Sequence, residues 1–476
     1  MSEPGHRRRV DHGIGRVGTR PLIRVRGDTI VALATASGRG AIAMIRVSGP
    51  AAEQICRRVL SPWPPRVRAA TRCTVHAPDE PGDVLDEAVV TIFKAPRSYT
   101  GESVVELSTH GGYYVPAAVC AAIVTAGARP AEPGEFTERA VLAGKFDLVR
   151  AEAVADLIDA RSRAGHRMAL HQLSGALSTR LGALRQSLVK VEALLAYDID
   201  FPEEDDGRLP RSVVAAAADS VIAQLDTLLA TVPSAIMGRD GATVVLAGPP
   251  NAGKSSLLNA IVGEERVIVN ELPGTTRDAV EVVIDQQPWP LRLVDTAGLR
   301  ESTDPVERMG VEVSARYLAA AHAVIVCAET ARGLRAALEV IGPLTNAPLV
   351  GAWTKCDLAA NDEETGFFTV PVVRVSATRG DGLESLLATV ARCIGDALQP
   401  ADLATPAVTR ARHCRALEAA RGELTSFRSA WLSESLPAPV ASVHVREAMR
   451  ALDELVGTVE IDEVFAEIFA TFCVGK

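Results

Sequence analysis

Hydrophobic and polar positions change their period along this chain, and each change indicates a different architecture. Between residues 28 and 145, short apolar runs at 41–47, 88–93 and 103–107 predict strands, and helical spacing over 116–126 predicts a helix. Strands and a helix mixed in this way predict an independent α+β domain.

From residue 147 the apolar positions recur every three to four residues, as in 152–160 and 181–195, which predicts a helical region. Residues 241–395 alternate strand and helix patterns, which is typical of a doubly wound sheet. Helical spacing returns from residue 407 to the C-terminus. We therefore expect an α/β region inserted between two helical segments. These segments should pack together, because neither has a complete core of its own.

A chain of 476 residues is too long for one ordinary core, so about three domains are expected. The predicted fold class is a multidomain protein with an N-terminal α+β domain, an all-α helical domain and an inserted α/β domain. The predicted boundaries are 1–27 for a basic extension, 28–146 for the N-terminal domain, 147–240 for the first helical part, 241–395 for the α/β domain and 396–476 for the second helical part.

Charge and cysteine content limit the partners. The formal net charge of −9 gives no bulk attraction to nucleic acid, so any RNA contact needs a local basic surface or a partner protein. The eight cysteines contain no C-x-x-C pair, which argues against structural zinc and favours a reduced, cytoplasmic protein. No apolar run free of charge reaches membrane-spanning length, so no membrane role is expected.

Seven arginines make the first 27 residues strongly basic. A disordered tail or a start placed too far upstream is the favoured interpretation, because the periodic chain begins only at residue 28. A mitochondrial transit peptide and a nucleic-acid-binding tail are the alternatives that the sequence leaves open.

A Gly-rich loop of the form G-x-x-x-x-G-K-S runs from Gly248 to Ser255, between an apolar run at 242–247 and a helical pattern at 256–261. Its backbone N–H groups and the helix N-terminus can hold phosphates, Lys254 can neutralise their charge, and Ser255 can hold a magnesium ion. Because both flanks have the required pattern, the loop predicts a nucleotide site.

Two further motifs follow in the order found in GTPases. Asp295 begins D-T-A-G after an apolar strand at 291–294, and this motif places a carboxylate near magnesium and an N–H near the terminal phosphate. Thr276, in T-T-R-D, is the second predicted hydroxyl ligand of magnesium. Either motif alone is weak evidence, and both gain meaning from following a phosphate loop.

The motif T-K-C-D at 354–357 predicts guanine selectivity, because Asp357 can accept two N–H bonds that adenine cannot offer. Lys355 can cover the base. Thr354 stands where GTPases usually have Asn, which changes one tethering hydrogen bond and bears on affinity. The S-A-T motif at 376–378 would supply a backbone N–H to the guanine oxygen.

Leu299 follows the D-T-A-G motif directly, where small signalling GTPases have a Gln that positions water. Leucine has no group that can orient water, so hydrolysis needs another residue. Glu301, Asp304 and Glu307 are acidic alternatives just beyond. For any one of them, an exposed charge on a loop is the commoner role.

These motifs, together with others outside the nucleotide site, resemble the MnmE (TrmE) family of tRNA-modifying GTPases over residues 28–476. The nucleotide-site marks are G-P-P-N-A-G-K-S-S-L-L-N-A, P-G-T-T-R-D and D-T-A-G-L-R-E-S-T-D-P-V-E-R-M-G. The other marks are R-V-S-G, S-Y-T-G-E, H-G-G, P-G-E-F and the terminal F-C-V-G-K. Generic GTPases share the phosphate loop and lack the terminal and N-terminal motifs.

The resemblance implies a potassium-dependent GTPase that dimerises through its G domains. It implies that Asn251 binds potassium and that the loop from Asn270 to Thr275 adds oxygens, including the carbonyls of Asn270 and Leu272. A cation there would stabilise developing charge as an arginine finger does. Glu307 matches the family's catalytic acidic residue, which orients or activates water.

The resemblance also implies an N-terminal domain that binds 5-formyltetrahydrofolate or a related folate and forms a constitutive homodimer. Arg46, Glu106, Lys145 and Lys476 match the family's folate contacts. Basic groups suit the glutamyl tail of a folate, and a carboxylate suits the amino-pyrimidine edge of the pterin. A surface ion pair is the alternative role for each residue.

Cys473 matches a near-terminal cysteine that is proposed to act in the family's modification chemistry. A thiolate needs a neighbour that lowers its pKa, and only Lys476 is close in sequence. A small apolar residue that docks the tail is the alternative role for Cys473.

The predicted function is therefore a GTPase that acts with an MnmG-like, FAD-carrying partner, in a heterotetramer, on tRNA. Together they would add a carboxymethylaminomethyl-type group to carbon five of the wobble uridine. A ribosome-assembly or regulatory GTPase switch is the alternative, and it would not explain the N-terminal motifs or the terminal cysteine. A folate-dependent aminomethyltransferase regulated by a G domain is a third, weaker alternative.

The predicted catalytic residues are Glu307, Lys254 and Cys473. The predicted magnesium ligands are Ser255 and Thr276, and the predicted potassium ligands are Asn251, Asn270, Leu272 and Thr275. The predicted GTP-binding residues are Asn251, Ala252, Gly253, Lys254, Ser255, Ser256, Asn270, Glu271, Leu272, Pro273, Gly274, Thr275, Thr276, Asp295, Thr296, Ala297, Gly298, Thr354, Lys355, Cys356, Asp357, Ser376, Ala377 and Thr378.

Overall fold

The computed structural model describes residues 27–64, 66–78, 80, 82–160, 162–200, 210–263, 267–268, 280–286, 288–295, 316–358, 368–397, 407–457, 468–470 and 472–475. These described residues form two compact units. The first contains the residues up to Lys145 and those after Ile461, and the second contains the residues from Phe146 to Glu460.

The first unit is built on a mixed sheet, seven-stranded over its described residues, in the order β3-β4-β5-β6-β2-β1-β7. Its strands are β1 Ile30–Leu33, β2 Ile42–Ser48, β3 Leu60–Ser61, β4 Thr71–His76, β5 Val84–Phe93, β6 Val104–His110 and β7 Arg129–Pro130. Its helices are α1 Ala52–Arg57, α2 Val115–Thr125 and α3 Glu135–Leu142. Neighbouring strands are antiparallel except for β1 and β7.

Alternation along β2 and β6 decides which side chains face the core of this unit. Ile45 and Leu107 are paired across the two strands and are fully buried. The neighbouring pair, Arg46 and Glu106, projects to the opposite face because side chains alternate along a strand. The strands and the helix predicted here from the sequence lie within one to four residues of β2, β5, β6 and α2.

The second unit contains a helical region and a second sheet. The helices of the helical region are α4 Leu148–Asp159, α5 Arg163–Leu173, α6 Ala176–Asp200, α7 Arg211–Leu229 and α8 Val232–Asp240. After the second sheet, two more helices belong to it, here called α12 Ala411–Leu432 and α13 Ala438–Val456. Asp147 caps α4 by accepting a hydrogen bond from the Arg150 backbone N–H, and Ser162 caps α5 in the same way.

The two helical segments share one apolar core, as the sequence predicted. Leu188 of α6, Leu225 of α7, Leu424 of α12 and Leu452 of α13 are all buried in it. Both segments contribute buried residues to this one core, so the inserted sheet does not interrupt the packing.

A buried ionic contact also joins the two helical segments. Glu152 of α4 accepts hydrogen bonds from Arg412 at 2.9 Å and His413 at 2.6 Å, both on α12. Burial would raise the pKa of Glu152, but the His413 and Arg412 contacts outweigh it and lower the pKa to about 2. The carboxylate therefore stays charged, and it ties residues about 260 positions apart in the chain.

Residues 211–240, which span α7 and α8, are the one helical stretch in the described ranges that is long and apolar enough to cross a membrane by length and composition. The sequence analysis did not recognise such a run. Val214, Ala218, Val221 and Leu225 of this stretch are buried in the helical core. A helix that packs in a core passes the same test as a membrane-spanning helix.

The second sheet lies between α8 and α12 and has the order β14-β13-β12-β8-β11-β10-β9 over the described residues. Its strands are β8 Ala242–Ala247, β9 Val267–Ile268, β10 Val280–Ile284, β11 Leu291–Asp295, β12 Ala323–Ala328, β13 Leu349–Trp353 and β14 Val372–Arg374. Its helices are α9 Lys254–Gly263, α10 Ala331–Ile341 and α11 Leu383–Ala397.

All six residues of β8 and all six of β12 are buried, as expected for parallel strands that are covered on both faces. Strands β11, β8, β12, β13 and β14 are parallel, and β10 is antiparallel to β11 and β9. Ligand sites of such sheets lie at the carboxyl ends of the parallel strands.

The described tail residues belong to the first unit, which differs from the prediction that residues 396–476 form one helical part. Val474 forms a β-bridge with Pro133, and the Gly134 backbone N–H donates to the Cys473 carbonyl at 3.4 Å. Gly134 has a φ of +70°, and a Cβ there would lie 2.7 Å from the Phe469 carbonyl oxygen. The tail therefore occupies space that only a glycine leaves open, and helical periodicity carries no sign of this.

Candidate functional site

The phosphate loop connects β8 to α9 at the carboxyl edge of the second sheet. Gly248 has a φ of +142°, and a Cβ there would lie 2.3 Å from the Cys327 carbonyl oxygen. Gly253 has a φ of +80°, and Asn251 adopts a left-handed φ of +61°. The glycines are therefore required by backbone conformation and close approach, and the loop turns tightly into the N-terminus of α9.

Two side chains of this loop are fixed by hydrogen bonds. The Lys254 ammonium donates to the carbonyls of Gly248 and Pro249, each at 2.9 Å, and lies inside the curve of the loop. The Ser255 hydroxyl donates to Asp295 Oδ2 at 2.7 Å. The loop and the end of β11 thus place a hydroxyl and a carboxylate side by side. The roles of Ser255 and Thr276 as magnesium ligands stay predictions.

Asp357 is held by two hydroxyl groups from the S-A-T motif. Ser376 donates to Oδ1 at 2.7 Å and Thr378 donates to Oδ2 at 3.1 Å. The Ser376 hydrogen bond is the main cause that lowers the pKa of Asp357, so the group is a carboxylate at neutral pH. Each carboxylate oxygen has a further lone pair, so Asp357 can still accept two parallel N–H bonds.

Thr354, which stands where GTPases usually have Asn, tethers the base motif to the phosphate loop. Its hydroxyl donates to the Ala252 carbonyl at 2.8 Å, and the residue is 4% exposed. The base motif is therefore bound directly to the phosphate loop. The sequence analysis expected this hydrogen-bond arrangement to change, and the structure gives the form that it takes.

Lys355 has a φ of +56° and forms an ion pair with Glu329, which follows β12. The Glu329 carbonyl accepts the indole N–H of Trp353 at 2.9 Å. The sequence analysis did not single out Glu329. A charged residue directly after a buried parallel strand, at the edge where the site lies, was the signal that could have found it.

A cavity of about 180 Å³ lies between the phosphate loop and the base motif. It brings together predicted residues from three separated motifs. The predicted residues that line it are Gly253, Ser256, Thr354, Lys355, Asp357, Ala377 and Thr378. Leu257, Leu358 and Val375 complete its wall with apolar surface. A flat ring that offers N–H groups to Asp357 fits a cavity with this lining.

Several predicted residues lie outside the described residues. They are Asn270, Glu271, Leu272, Pro273, Gly274, Thr275, Thr276, Thr296, Ala297, Gly298, Leu299, Glu301, Asp304, Glu307 and Lys476. Their predicted roles in binding magnesium and potassium, in hydrolysis and in folate binding stay predictions.

The first unit brings together two of the four residues matched to folate binding. Arg46 donates to Glu106 Oε1 at 2.9 Å, and both side chains are mostly buried. The Arg46 guanidinium lies 5.4 Å from the Tyr99 ring centroid and 3.4 Å from the Gly475 carbonyl oxygen. A surface ion pair was the alternative role for each residue. The two residues pair with each other, mostly buried, beside an aromatic ring and the Gly475 carbonyl.

Lys145 and Cys473 lie in different surroundings. The Lys145 ammonium donates to the Pro96 carbonyl at 3.0 Å, on an exposed turn. Cys473 is exposed, and its carbonyl accepts the Gly134 backbone N–H. Exposure disfavours the alternative of an apolar residue that docks the tail through its side chain.

The sequence analysis did not identify a network of charged residues in the first unit. Glu135 is 1% exposed and binds Arg129 at 2.6 Å and Arg139 at 2.9 Å. Burial would raise the pKa of Glu135, but hydrogen bonds from Arg129, the Glu132 backbone and Arg139 outweigh it and lower the pKa to about 2. Arg139 lies four positions and Arg129 six positions from Glu135 in the chain, so the i,i+4 spacing of Glu135 and Arg139 was a signal in the sequence.

Comparison with known families agrees with this layout. A family model described as the MnmE helical domain matches residues 148–473, and one described as the GTP-binding protein TrmE N-terminus matches residues 29–145. The tRNA modification GTPase MnmE of Syntrophotalea carbinolica is 37% identical over 95% of this chain and 100% of the relative. This chain belongs to the MnmE family.

Other relatives show the same agreement. The tRNA modification GTPase MnmE of Moorella thermoacetica is 39% identical over 94% of this chain and 99% of its own length. The tRNA modification GTPase MnmE of Neisseria meningitidis serogroup A is 40% identical over 94% of this chain and 99% of its own length. The G domain of the T. maritima FeoB iron transporter is 27% identical over 32% of this chain and 98% of that domain, with a TM-score of 0.26. The family models and the MnmE relatives confirm the MnmE resemblance inferred from the motifs.

Proposed function

We propose that this member of the MnmE family is a GTPase that acts in tRNA modification. In the finer proposal it is potassium-dependent and works with a flavin-dependent partner. Together they add a carboxymethylaminomethyl-type group to carbon five of the wobble uridine. The observation that carries the proposal is the cavity that the ionised Asp357 and the phosphate loop line together. The same loop carries the Ser255 hydroxyl that donates to Asp295.

Binding of the phosphates follows from the loop geometry. The backbone N–H groups at the N-terminus of α9 carry partial positive charge, and they attract an anion. The Lys254 ammonium lies in the same loop and adds a full positive charge. Its two carbonyl contacts are weaker acceptors than a phosphate oxygen, so the ammonium can exchange them for a nucleotide.

The Ser255 hydroxyl and the Asp295 carboxylate fit a magnesium ion, because both offer the oxygen ligands that this ion prefers. Thr276 is proposed as a further ligand. Bound magnesium would neutralise charge on the phosphates. Asn251 offers an exposed amide oxygen at the loop, which fits a potassium ion, and the other proposed ligands are Asn270, Leu272 and Thr275.

Asp357 is proposed to select guanine by accepting its two N–H groups while Ser376 and Thr378 hold the carboxylate in place. Thr354 keeps this motif in register with the phosphate loop. Glu307 is proposed to orient the attacking water in place of the Gln that Leu299 replaces. G domains of two copies would pair during the cycle.

The first unit is proposed to bind a reduced folate that donates a one-carbon group. Arg46 and Glu106 offer a cation and a carboxylate, and the Tyr99 ring lies beside them. This set fits a ligand that carries both carboxylates and an amino-pyrimidine. The partner would supply FAD, and each homodimer of this chain would bind two copies of that partner.

Nucleoside analysis of tRNA from a deletion strain tests the proposed function. The modified wobble uridine should disappear, return with the parent chain, and stay low with Glu307→Ala. Purified Glu307→Ala should hydrolyse GTP far more slowly and still bind it. A normal nucleoside profile in the deletion strain would leave a GTPase switch without modification chemistry as the better account.

Two further measurements separate the finer parts of the proposal. Replacing potassium by sodium should depress GTP hydrolysis, and equal rates in both salts would remove the role given to Asn251. Asp357→Asn should selectively weaken the binding of guanine nucleotides. An unchanged preference for guanine over adenine nucleotides would remove the role given to Asp357.

A further inference from the structure

A turn in the first unit gathers positive charge from three separate segments. Residues Lys94–Arg97 form the turn after β5, where the Arg97 backbone N–H donates to the Lys94 carbonyl at 2.9 Å. The Arg68 guanidinium donates to the Arg97 carbonyl at 2.5 Å. Lys145 donates to the Pro96 carbonyl at 3.0 Å from the other side. Arginine and lysine side chains therefore border this turn on both flanks.

We define the basic patch as Arg66, Arg68, Lys94, Arg97 and Lys145. All five are exposed, along with the turn itself. None of the five pairs with a carboxylate among the residues that the structure describes. The segments 61–72, 91–101 and 139–146 contain no Asp or Glu, whereas the chain as a whole has a net charge of −9. The basic patch is therefore locally positive, although the whole chain has a negative net charge.

Local contacts also restrict the Arg68 side chain of the basic patch. The Arg68 guanidinium lies 5.9 Å from the Phe93 ring centroid, and the Arg68 backbone N–H donates to the Ile92 carbonyl at 2.9 Å. These contacts limit the motion of the Arg68 side chain while its remaining N–H groups stay in solvent. A fixed guanidinium loses less entropy when it binds a phosphate than a free one does.

We propose that this basic patch binds the phosphate backbone of tRNA. The inference rests on the proposed role in tRNA modification, and it names the surface of this chain that the RNA contacts. Exposed cations without carboxylate partners are the groups that contact phosphates and release counterions. An acidic chain that binds RNA needs such a local surface, because its overall charge repels RNA.

The test uses the full-length chain and labelled bulk tRNA, with binding measured by fluorescence anisotropy between about 50 and 200 mM salt. Arg68→Glu with Arg97→Glu should weaken binding roughly tenfold at low salt. It should also lower the slope of log affinity against log salt by about two. Arg68→Gln with Arg97→Gln should show the same direction with a smaller effect, and it guards against misfolding caused by charge reversal.

A matched control changes the net charge equally on the helical region. Lys190→Glu with Arg415→Glu alters two exposed cations that have no carboxylate partner in the described part of the chain. This control should bind tRNA nearly as the parent does. All variants should retain GTP hydrolysis and the parent's thermal unfolding midpoint, because the altered residues lie outside the nucleotide site.

Several results would overturn the proposal. They are equal tRNA affinity in parent and patch variant, equal loss in the helical control, and no tRNA binding by the parent. Loss of affinity for a polyglutamylated folate with unchanged tRNA binding would assign the patch to the folate tail instead. The function is judged separately, because nucleoside analysis of the deletion strain does not depend on where tRNA binds.

Discussion

Replacing Thr354 by Val tests whether one hydroxyl couples base recognition to the phosphate loop. Valine has nearly the shape of threonine and removes only the group that donates to the Ala252 carbonyl at 2.8 Å. The position is 4% exposed, so water cannot easily replace the lost donor. The substitution therefore isolates the hydrogen bond from packing.

The size of the effect follows from the burial of the bond. A buried hydrogen bond contributes about 1 kcal/mol net, and leaving a buried polar partner unpaired costs up to about 3 kcal/mol. If all of this loss falls on the nucleotide-bound state, affinity drops roughly 5- to 150-fold. Any part of the loss that affects the nucleotide-free and the nucleotide-bound protein equally lowers the free energy of unfolding instead.

Two assays separate the loss of nucleotide affinity from the loss of stability. Titration with a fluorescent GDP analogue gives the affinity, and urea denaturation gives the free energy of unfolding. Thr354→Ser keeps the hydroxyl and removes a methyl group, so it should retain more of the affinity than Thr354→Val. If Thr354→Val matches the parent in both affinity and stability, then the tether has no energetic role and the argument is wrong.

Three other predictions follow from particular contacts. Gly248→Ala should destabilise the second unit by on the order of 3 kcal/mol, because its Cβ would lie 2.3 Å from the Cys327 carbonyl oxygen at a φ of +142°. Gly263→Ala, in α9 with open space around it, is the matched control, and equal unfolding midpoints for the two variants would refute the steric argument. The first unit should lose stability as pH falls from about 4.5 towards 2, because the pKa of Glu135 is lowered in the fold and its contribution exists only while the carboxylate is charged. Glu135→Gln should be less stable at neutral pH and should show a flatter dependence over that range in thermal unfolding, whereas a parallel curve would exclude Glu135 as the cause. Arg46→Gln should weaken binding of 5-formyltetrahydrofolate in calorimetry while GTP hydrolysis stays at the parent rate. Arg72→Gln, which breaks an exposed pair with Glu87, should leave folate binding unchanged, and equal loss in both variants would argue against a site at Arg46.

The sequence could indicate a candidate nucleotide site because the motifs of that site are local. Gly248 to Ser255 lie in one short segment whose flanks have a strand pattern and a helix pattern, so the motif can be recognised from consecutive residues. Asp357 and Ser376 were each identified from the motif that contains the residue. The structure supplied the hydrogen bond that joins them at 2.7 Å.

Residues that act through distant partners were beyond the sequence. Glu329 gains its contact with Lys355 only because β12 and β13 are adjacent and parallel in the sheet. Asp28 contacts Arg129 and Arg139 of the Glu135 network only because the fold brings it to them from more than 100 positions away in the chain. The tail was assigned to the helical region by periodicity, and its place beside Pro133 depends on glycines that leave room for it.

The sequence by itself therefore determined the order of the elements, the phosphate and base motifs and the family, since each depends on short-range spacing. Tertiary structure alone decided that the terminal residues join the first unit, which carbonyl the Thr354 hydroxyl binds, and where positive charge gathers around Arg97. Those features arise from contacts between residues far apart in the chain, and a periodic pattern contains no information on which distant segments will meet.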